Sequence, residues 1–175
     1  MPARSVHHGD GVAWIASTEL GPGDAIVTSL PDVSEVTLDV ERWRRWFVDT
    51  AALLCARVHA ESVAVFYQTD IKHDGIWIDK GHLVHTGAER SAAHCVWHKI
   101  VCRAPAGTTT FGRPAYAHLL AFSRGLRLAP GQSSPDVLPA MGAMTWARAM
   151  GTTACELAAR FVRDYAGATT IVDPF

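Results

Sequence analysis

The chain has 175 residues, with 16 Lys and Arg against 17 Asp and Glu, a formal net charge of -1. That length suits one domain whose core holds without cross-links, and the balanced charge lacks the basic excess of proteins that live on nucleic-acid phosphates. A hydrophobic content of 49% excludes disorder as the main state. The most apolar stretch, Ala51 to Tyr67, is interrupted by Arg57, His59 and Glu61 and is too short and too charged for a membrane span.

The first ten residues contain no apolar signal segment, so a soluble, cytoplasmic protein with no membrane partner is expected. Gly9 to Ser17 carries Val12, Ile15 and Ala16 at helical spacing and predicts a short helix. Asp24 to Ser29 and Ser62 to Gln68 are compact apolar runs, the pattern of strands covered on both faces. Between them, Trp43, Phe47, Ala51, Leu54 and Val58 recur every three or four residues and predict a helix from Asp39 to His59. Strand, helix, strand implies a parallel sheet.

Further along, Asp70 to Gly75 is read as a polar loop and Asp79 to Arg90 as a helix capped by Asp79. Lys72, His73, Asp74, Asp79 and Lys80 are read as a solvated charged turn. His94 to Cys102 and Tyr116 to Ser123 predict an antiparallel hairpin. Arg124 to Met144 holds three prolines and three glycines and is read as an irregular loop, followed by a helix from Thr145 to Tyr165 and a short strand from Thr169 to Val172. The expected fold is a single α/β domain over residues 1–175, a mostly parallel sheet with helices on both faces and an antiparallel hairpin at one edge.

Three segments together resemble one arrangement. His8-Gly-Asp10, a helix and Asp24-Ala-Ile-Val-Thr-Ser-Leu-Pro-Asp32 are similar to an opening "GD", helix, "D-[ILV]-[ILV]-x-[SD]-P-P-Y". Trp97-His-Lys99 and Tyr116 to Gly125 resemble a "W-x-K" strand and a returning strand, with His118 at the usual Glu position. Thr170-Ile-Val-Asp-Pro-Phe175, after a helix, resembles the start of "V-L-D-P-F-x-G-x-G-T". In this order the segments resemble the permuted, beta-class-like amino-methyltransferases that use S-adenosyl-L-methionine, the DNA methyltransferases and their relatives.

The resemblance implies a Rossmann-like methyltransferase fold and S-adenosyl-L-methionine as cofactor. It places Asp10, Ser29, Asp173, Pro174 and Phe175 at the cofactor and Ser29, Pro31 and Asp32 at the methyl acceptor. Tyr67, Gln68 and Asp70, just past the second strand, are expected at the substrate, because ligands of open α/β sheets sit beyond the carboxyl ends of the strands. The family's glycine-rich cofactor turn would follow Phe175, so the chain is expected to be truncated there or to be completed by a second chain or a homodimer partner.

Leu30 replaces a proline and Asp32 the aromatic that would stack on a flipped base. An Asp there suits a hydroxyl or ammonium acceptor that gives up a proton. With no large recognition insert after Gly125, RNA, a protein or a small molecule is favoured as acceptor over site-specific duplex DNA. Two alternatives stand beside methyl transfer: a non-catalytic binding subunit or degenerate relative, and an RNA-binding module using Arg42, Arg44 and Arg45 with Trp43 and Trp46. No metal is expected: Cys95, His98 and Cys102 have zinc-like spacing, but strand alternation sends Cys95 to the face opposite His98.

Overall fold

Three helices begin on an aspartate whose carboxylate accepts a bond from a first-turn N–H. Asp10 accepts from Ala13, Asp39 from Arg42 and Asp79 from His82, at 2.7–2.8 Å. They open α1 (Gly11–Ser17), α2 (Val40–Arg57) and α3 (Lys80–Arg90) in the computed structural model, which describes residues 3–132 and 134–175. A fourth helix, α4 (Thr152–Asp164), has no side-chain cap. Its first N–H groups donate instead to backbone carbonyls of the preceding loop, Thr152 to Ala143 at 2.9 Å and Thr153 to Met141 at 3.0 Å.

That capping explains why α4 starts at Thr152 and not at Thr145. Gly142 has φ +83, and a Cβ there would stand 2.5 Å from Thr153 N; one on Gly151 would stand 2.2 Å from the Met141 carbonyl. Two glycines thus let the chain pinch shut, and residues 143–150 leave as a closed loop instead of a first helical turn.

The strands are β1 (Asp24–Thr28), β2 (Ala64–Gln68), β3 (Ile71–His73), β4 (Ile76–Ile78), β5 (His94–Cys102), β6 (Tyr116–Ser123), β7 (Val137–Leu138) and β8 (Thr170–Val172). Six form one sheet in the order β7-β5-β6-β2-β1-β8. β1 pairs in parallel with β2 and β8, and β7 with β5, while β6 runs antiparallel to both β2 and β5. The β5–β6 hairpin therefore continues the sheet from β2 and is not its edge; β7, inside the expected loop, takes that place.

Alternation along β2 divides the interior into two layers. Ala64 and Phe66 join Ile15, Phe47, Leu54, Val84 and Phe122 under α1, α2 and α3. Val65 and Tyr67 join Trp97, Leu119, Ala154 and Phe161 under α4. Phe47, Phe66, Phe122 and Phe161 are fully buried, each worth about 2 kcal/mol of transfer free energy.

Two local expectations change. The segment after β2 is a second hairpin, β3 with β4, turning on Asp74 and Gly75, both with positive φ. In β5 a bulge between Cys95 and Trp97 shifts the alternation, so Cys95, opposite Phe122, shares a face with His98, opposite Leu120. Among the described residues these two still join no cluster of ligand atoms close enough for one ion.

Candidate functional site

β1, β2, β5 and β8 point their carboxyl ends at one edge of the sheet. Ser29 follows β1, Thr69 follows β2, Arg103 follows β5 and Asp173 follows β8, while Arg113 descends to the start of β6. Ser29, Tyr67, Thr69, Lys80, Arg103 and Arg113 border a cavity of about 260 Å3 at this edge. Its outer wall is the closed loop before α4, through Met141, Met144, Arg148 and Ala149.

Asp32 lies in the wall of this cavity and is buried. Its Oδ1 pairs with Lys80 Nζ and its Oδ2 with Arg113 Nη2. Lys80, read from the sequence as part of a solvated turn, is only 2% exposed. Burial pulls the Lys80 ammonium below its usual pKa, and the Asp32 carboxylate acts against that shift. Both oxygens of Asp32 are occupied by cations, so Asp32 is an anchor for Lys80 and Arg113, and neither oxygen is the free acceptor expected from its place in the motif.

Pro31 is likewise committed. Its carbonyl accepts the Trp43 indole N–H at 3.0 Å, and Leu30 is 2% exposed and part of the core. The Ser-Leu-Pro-Asp turn is thus held by packing below and ion pairs above, and its exposed member is Ser29. Trp43, being fully buried, offers no stacking face to RNA.

Glu35 accepts the Asp32 N–H at 2.8 Å and the Arg148 guanidinium at 2.5 Å. Arg148 reaches it from a backbone with φ +67, a conformation that costs an L residue roughly 1 kcal/mol. Both carboxylates of the cavity are therefore satisfied by its own cations. Arg103 is left with a 3.3 Å bond to the Pro114 carbonyl and the neighbouring Tyr67 hydroxyl. Four cations against two anions give the cavity a net positive lining. Burial pushes the Tyr67 phenol above its usual pKa, with Arg103 acting against it, so Tyr67 stays protonated at neutral pH.

On the other side of Ser29 lies the end of β8. Asp173 Oδ1 accepts the Thr28 hydroxyl at 2.6 Å and the Phe175 N–H at 3.3 Å. Pro174 lies against the start of α1, so close that a Cβ on Gly11 would stand 2.0 Å from its carbonyl, and Phe175 packs edge-on against Trp46. Asp10, Ser29, Asp173, Pro174 and Phe175 are thus brought to one edge. Asp10 and Asp173 each spend Oδ1 inside the protein and, among the described residues, keep Oδ2 for a ligand. Two exposed carboxylates beside a hydroxyl offer the acceptors that an adenine amine and an α-ammonium would need, so the residues present fit S-adenosyl-L-methionine.

The expected substrate residues divide by strand parity. Tyr67 and Thr69 face the cavity, whereas Gln68 and Asp70 turn to the α3 side and are buried. Gln68 and Asp70 are therefore not cavity residues. Sequence reasoning missed Lys80, Arg103, Arg113 and Arg148, which reach the site from a helix start and from loops 103–115 and 143–150; the motif spacing holds no signal for them.

No protein-family model matches this sequence, and no curated protein matches it. Solved structures do match. One is TTHA0409 of Thermus thermophilus, provisionally named a DNA modification methylase and crystallised with S-adenosyl-L-methionine, at 15% identity, 95% of this chain, 78% of that chain and TM-score 0.62. The chain has the DNA methyltransferase fold. The PvuII cytosine-N4-specific DNA methyltransferase matches 80% of this chain and 58% of its own at 10% identity and TM-score 0.59. The M1.HpyAVI complex with S-adenosyl-L-methionine matches 97% and 80% at 12% identity and TM-score 0.50. Among the described residues, no helix is long and apolar enough to cross a membrane.

Proposed function

We propose that this chain acts in S-adenosyl-L-methionine-dependent methyl transfer to a small O or N acceptor that carries an anionic group. The observation behind this is the position of Ser29 at one sheet edge between the exposed carboxylates Asp10 and Asp173 on one side and a cavity with a surplus of cations on the other. In this reading Asp10 accepts from the adenine amine and Asp173 from the α-ammonium. When bound, the cofactor supplies a methyl group made electrophilic by its sulfonium.

The chain's own work is then placement and exclusion of water. Arg103 and Arg113 hold the acceptor's anionic group, Ser29 orients its nucleophilic atom toward the side of Asp173, and Met141, Met144 and Ala149 cover it. No proton-accepting side chain is free in the cavity among the described residues, since Asp32 and Glu35 are ion-paired and Tyr67 stays protonated. An acceptor whose nucleophile is already anionic, such as a carboxylate or an acidic phenolate, needs none. The 260 Å3 cavity suits such a molecule and is too small for a duplex.

Calorimetric titration with S-adenosyl-L-methionine and S-adenosylhomocysteine, followed by transfer of labelled methyl to panels of small carboxylates, phenolates, RNA and duplex DNA, tests the proposal. Binding with transfer to an anionic small molecule is the expected result. Absence of binding heat removes the reading for this polypeptide; binding without transfer to any panel favours a non-catalytic binding subunit.

A further inference from the structure

We propose that Asp70, Asp79 and His118 form a site for a divalent first-row transition ion on the α3 side of the sheet. One oxygen of each carboxylate and a ring nitrogen of His118 all lie within 4.8 Å of one another. One pair, His118 Nε2 and Asp70 Oδ2, is 3.3 Å apart. Two ligand atoms bound to one ion at about 2.1 Å stand roughly 3.0–3.4 Å apart in octahedral or tetrahedral geometry, so this edge is already set.

The helix start fixes both carboxylates. Asp70 Oδ1 accepts the Lys80 N–H at 2.8 Å and Asp79 Oδ1 accepts the His82 N–H at 2.7 Å. Asp79 keeps its Oδ2 for the cluster, and Asp70, which also accepts from the Trp77 side chain, turns its Oδ2 to His118. His118 is oriented from behind, its Nδ1 lying 3.3 Å from His98 Nε2. A metal-bound imidazole commonly donates its second ring N–H to such an acceptor, which fixes the tautomer. When the ion binds Nε2, the His118 proton moves to Nδ1 and is held by His98.

Gln68 supplies an independent observation. Its side chain is fully buried, and neither Oε1 nor Nε2 has a hydrogen-bond partner. Gln68 is two residues before Asp70 on the same face and lies directly opposite His118 across the β2–β6 ladder, so its side chain leaves the sheet beside this cluster. An orphaned buried amide is costly. Water bound to an ion here would donate to Oε1 and remove that cost.

Two carboxylates and an imidazole favour Zn2+ or Mn2+; the imidazole argues against Mg2+ and the absence of thiolate against Cu+. Asp79 and His98 are exposed and give the ion access. The site would tie the end of β2, the start of α3 and β6 together, behind the Lys80 that pairs with Asp32 in the cavity wall. It stands or falls independently of methyl transfer.

The test is calorimetry and thermal unfolding of the chelator-treated full chain with Zn2+, Mn2+ and Mg2+. We expect one Zn2+ or Mn2+ per chain, a rise in Tm, and binding at least tenfold weaker for Mg2+. Asp79→Asn keeps the helix cap, because Asn caps as well as Asp, and is expected to weaken Zn2+ at least tenfold with the Tm of the metal-free chain unchanged; His118→Gln should do the same. Absence of stoichiometric binding, or binding that Asp79→Asn leaves intact, overturns the proposal, and Asp79→Asn alone decides if His118→Gln does not fold.

Discussion

Asp32 and Asp173 leave neighbouring parallel strands at the same edge of the sheet, and their surroundings assign them opposite work. Asp32 is buried and held by Lys80 and Arg113. Asp173 is exposed and bonded through one oxygen to Thr28 and the Phe175 N–H. The difference separates a carboxylate that builds a wall from one that can hold a ligand, although both follow a strand and both sit next to a proline. Position in a motif does not decide the role of a carboxylate; the charges around it do.

The comparison breaks most visibly at Lys80. Replacing it by Met keeps the apolar stem but strands Asp32 with Arg113 alone, and urea unfolding should show a loss of about 3 kcal/mol. Pairing Lys80→Met with Asp32→Leu should restore part of that loss, because an apolar pair of similar volume avoids the desolvation cost. If the single and double variants unfold at the same urea concentration, Asp32 does not depend on its cations.

At Asp173 the expected effect falls on binding. Asp173→Asn should weaken S-adenosyl-L-methionine about tenfold, the value of one charge-assisted hydrogen bond, while the unfolding midpoint hardly moves. Equal affinity for the two proteins would remove Asp173 from the cofactor site. The same carboxyl has an acid signature. Partial desolvation of the carboxyl group, within a residue that is exposed as a whole, raises its pKa above the usual 3.8, against the opposing bonds from Thr28 and Phe175 N–H. A raised pKa means protonation at a higher pH, so cofactor affinity should begin to fall on acidification before ordinary carboxylates titrate, and Asp173→Asn should flatten that profile.

The smallest structural effect is expected at Arg103, which is exposed and not part of an ion pair among the described residues. Arg103→Ala should change stability by no more than about 0.5 kcal/mol yet raise the KM for an anionic acceptor several-fold with cofactor affinity unchanged. A comparable loss with a neutral acceptor would mean that Arg103 shapes the cavity and does not read charge.

Much of the fold was legible because it is local. The aspartate caps at residues 10, 39 and 79 and the apolar strands around Ile26 and Phe66 carry their signals within a few residues. The β3–β4 hairpin was also within reach, since Asp74-Gly75 between Ile71 and Ile78 is a strong two-residue turn signal; reading the segment as a charged loop overlooked it. The start of α4 was not legible, because it depends on the carbonyls of Ala143 and Met141 in the preceding loop and on two glycines packed against each other. The candidate site was legible on the side of Asp10 and Asp173, which sit in recognisable motifs. Its cations reach it from Lys80, Arg103, Arg113 and Arg148, distant in sequence, and only the folded chain gathers them.

The closed neck of the loop at residues 143–150 has an evolutionary consequence. Because Gly142 and Gly151 meet at its base and α4 is capped from there, the outer residues can be exchanged or lengthened without passing strain to the helix. Doubling such a loop costs only about 0.6 kcal/mol in closure entropy. The roof of the cavity is thus a graft point, where new acceptor preferences can arise on an unaltered scaffold.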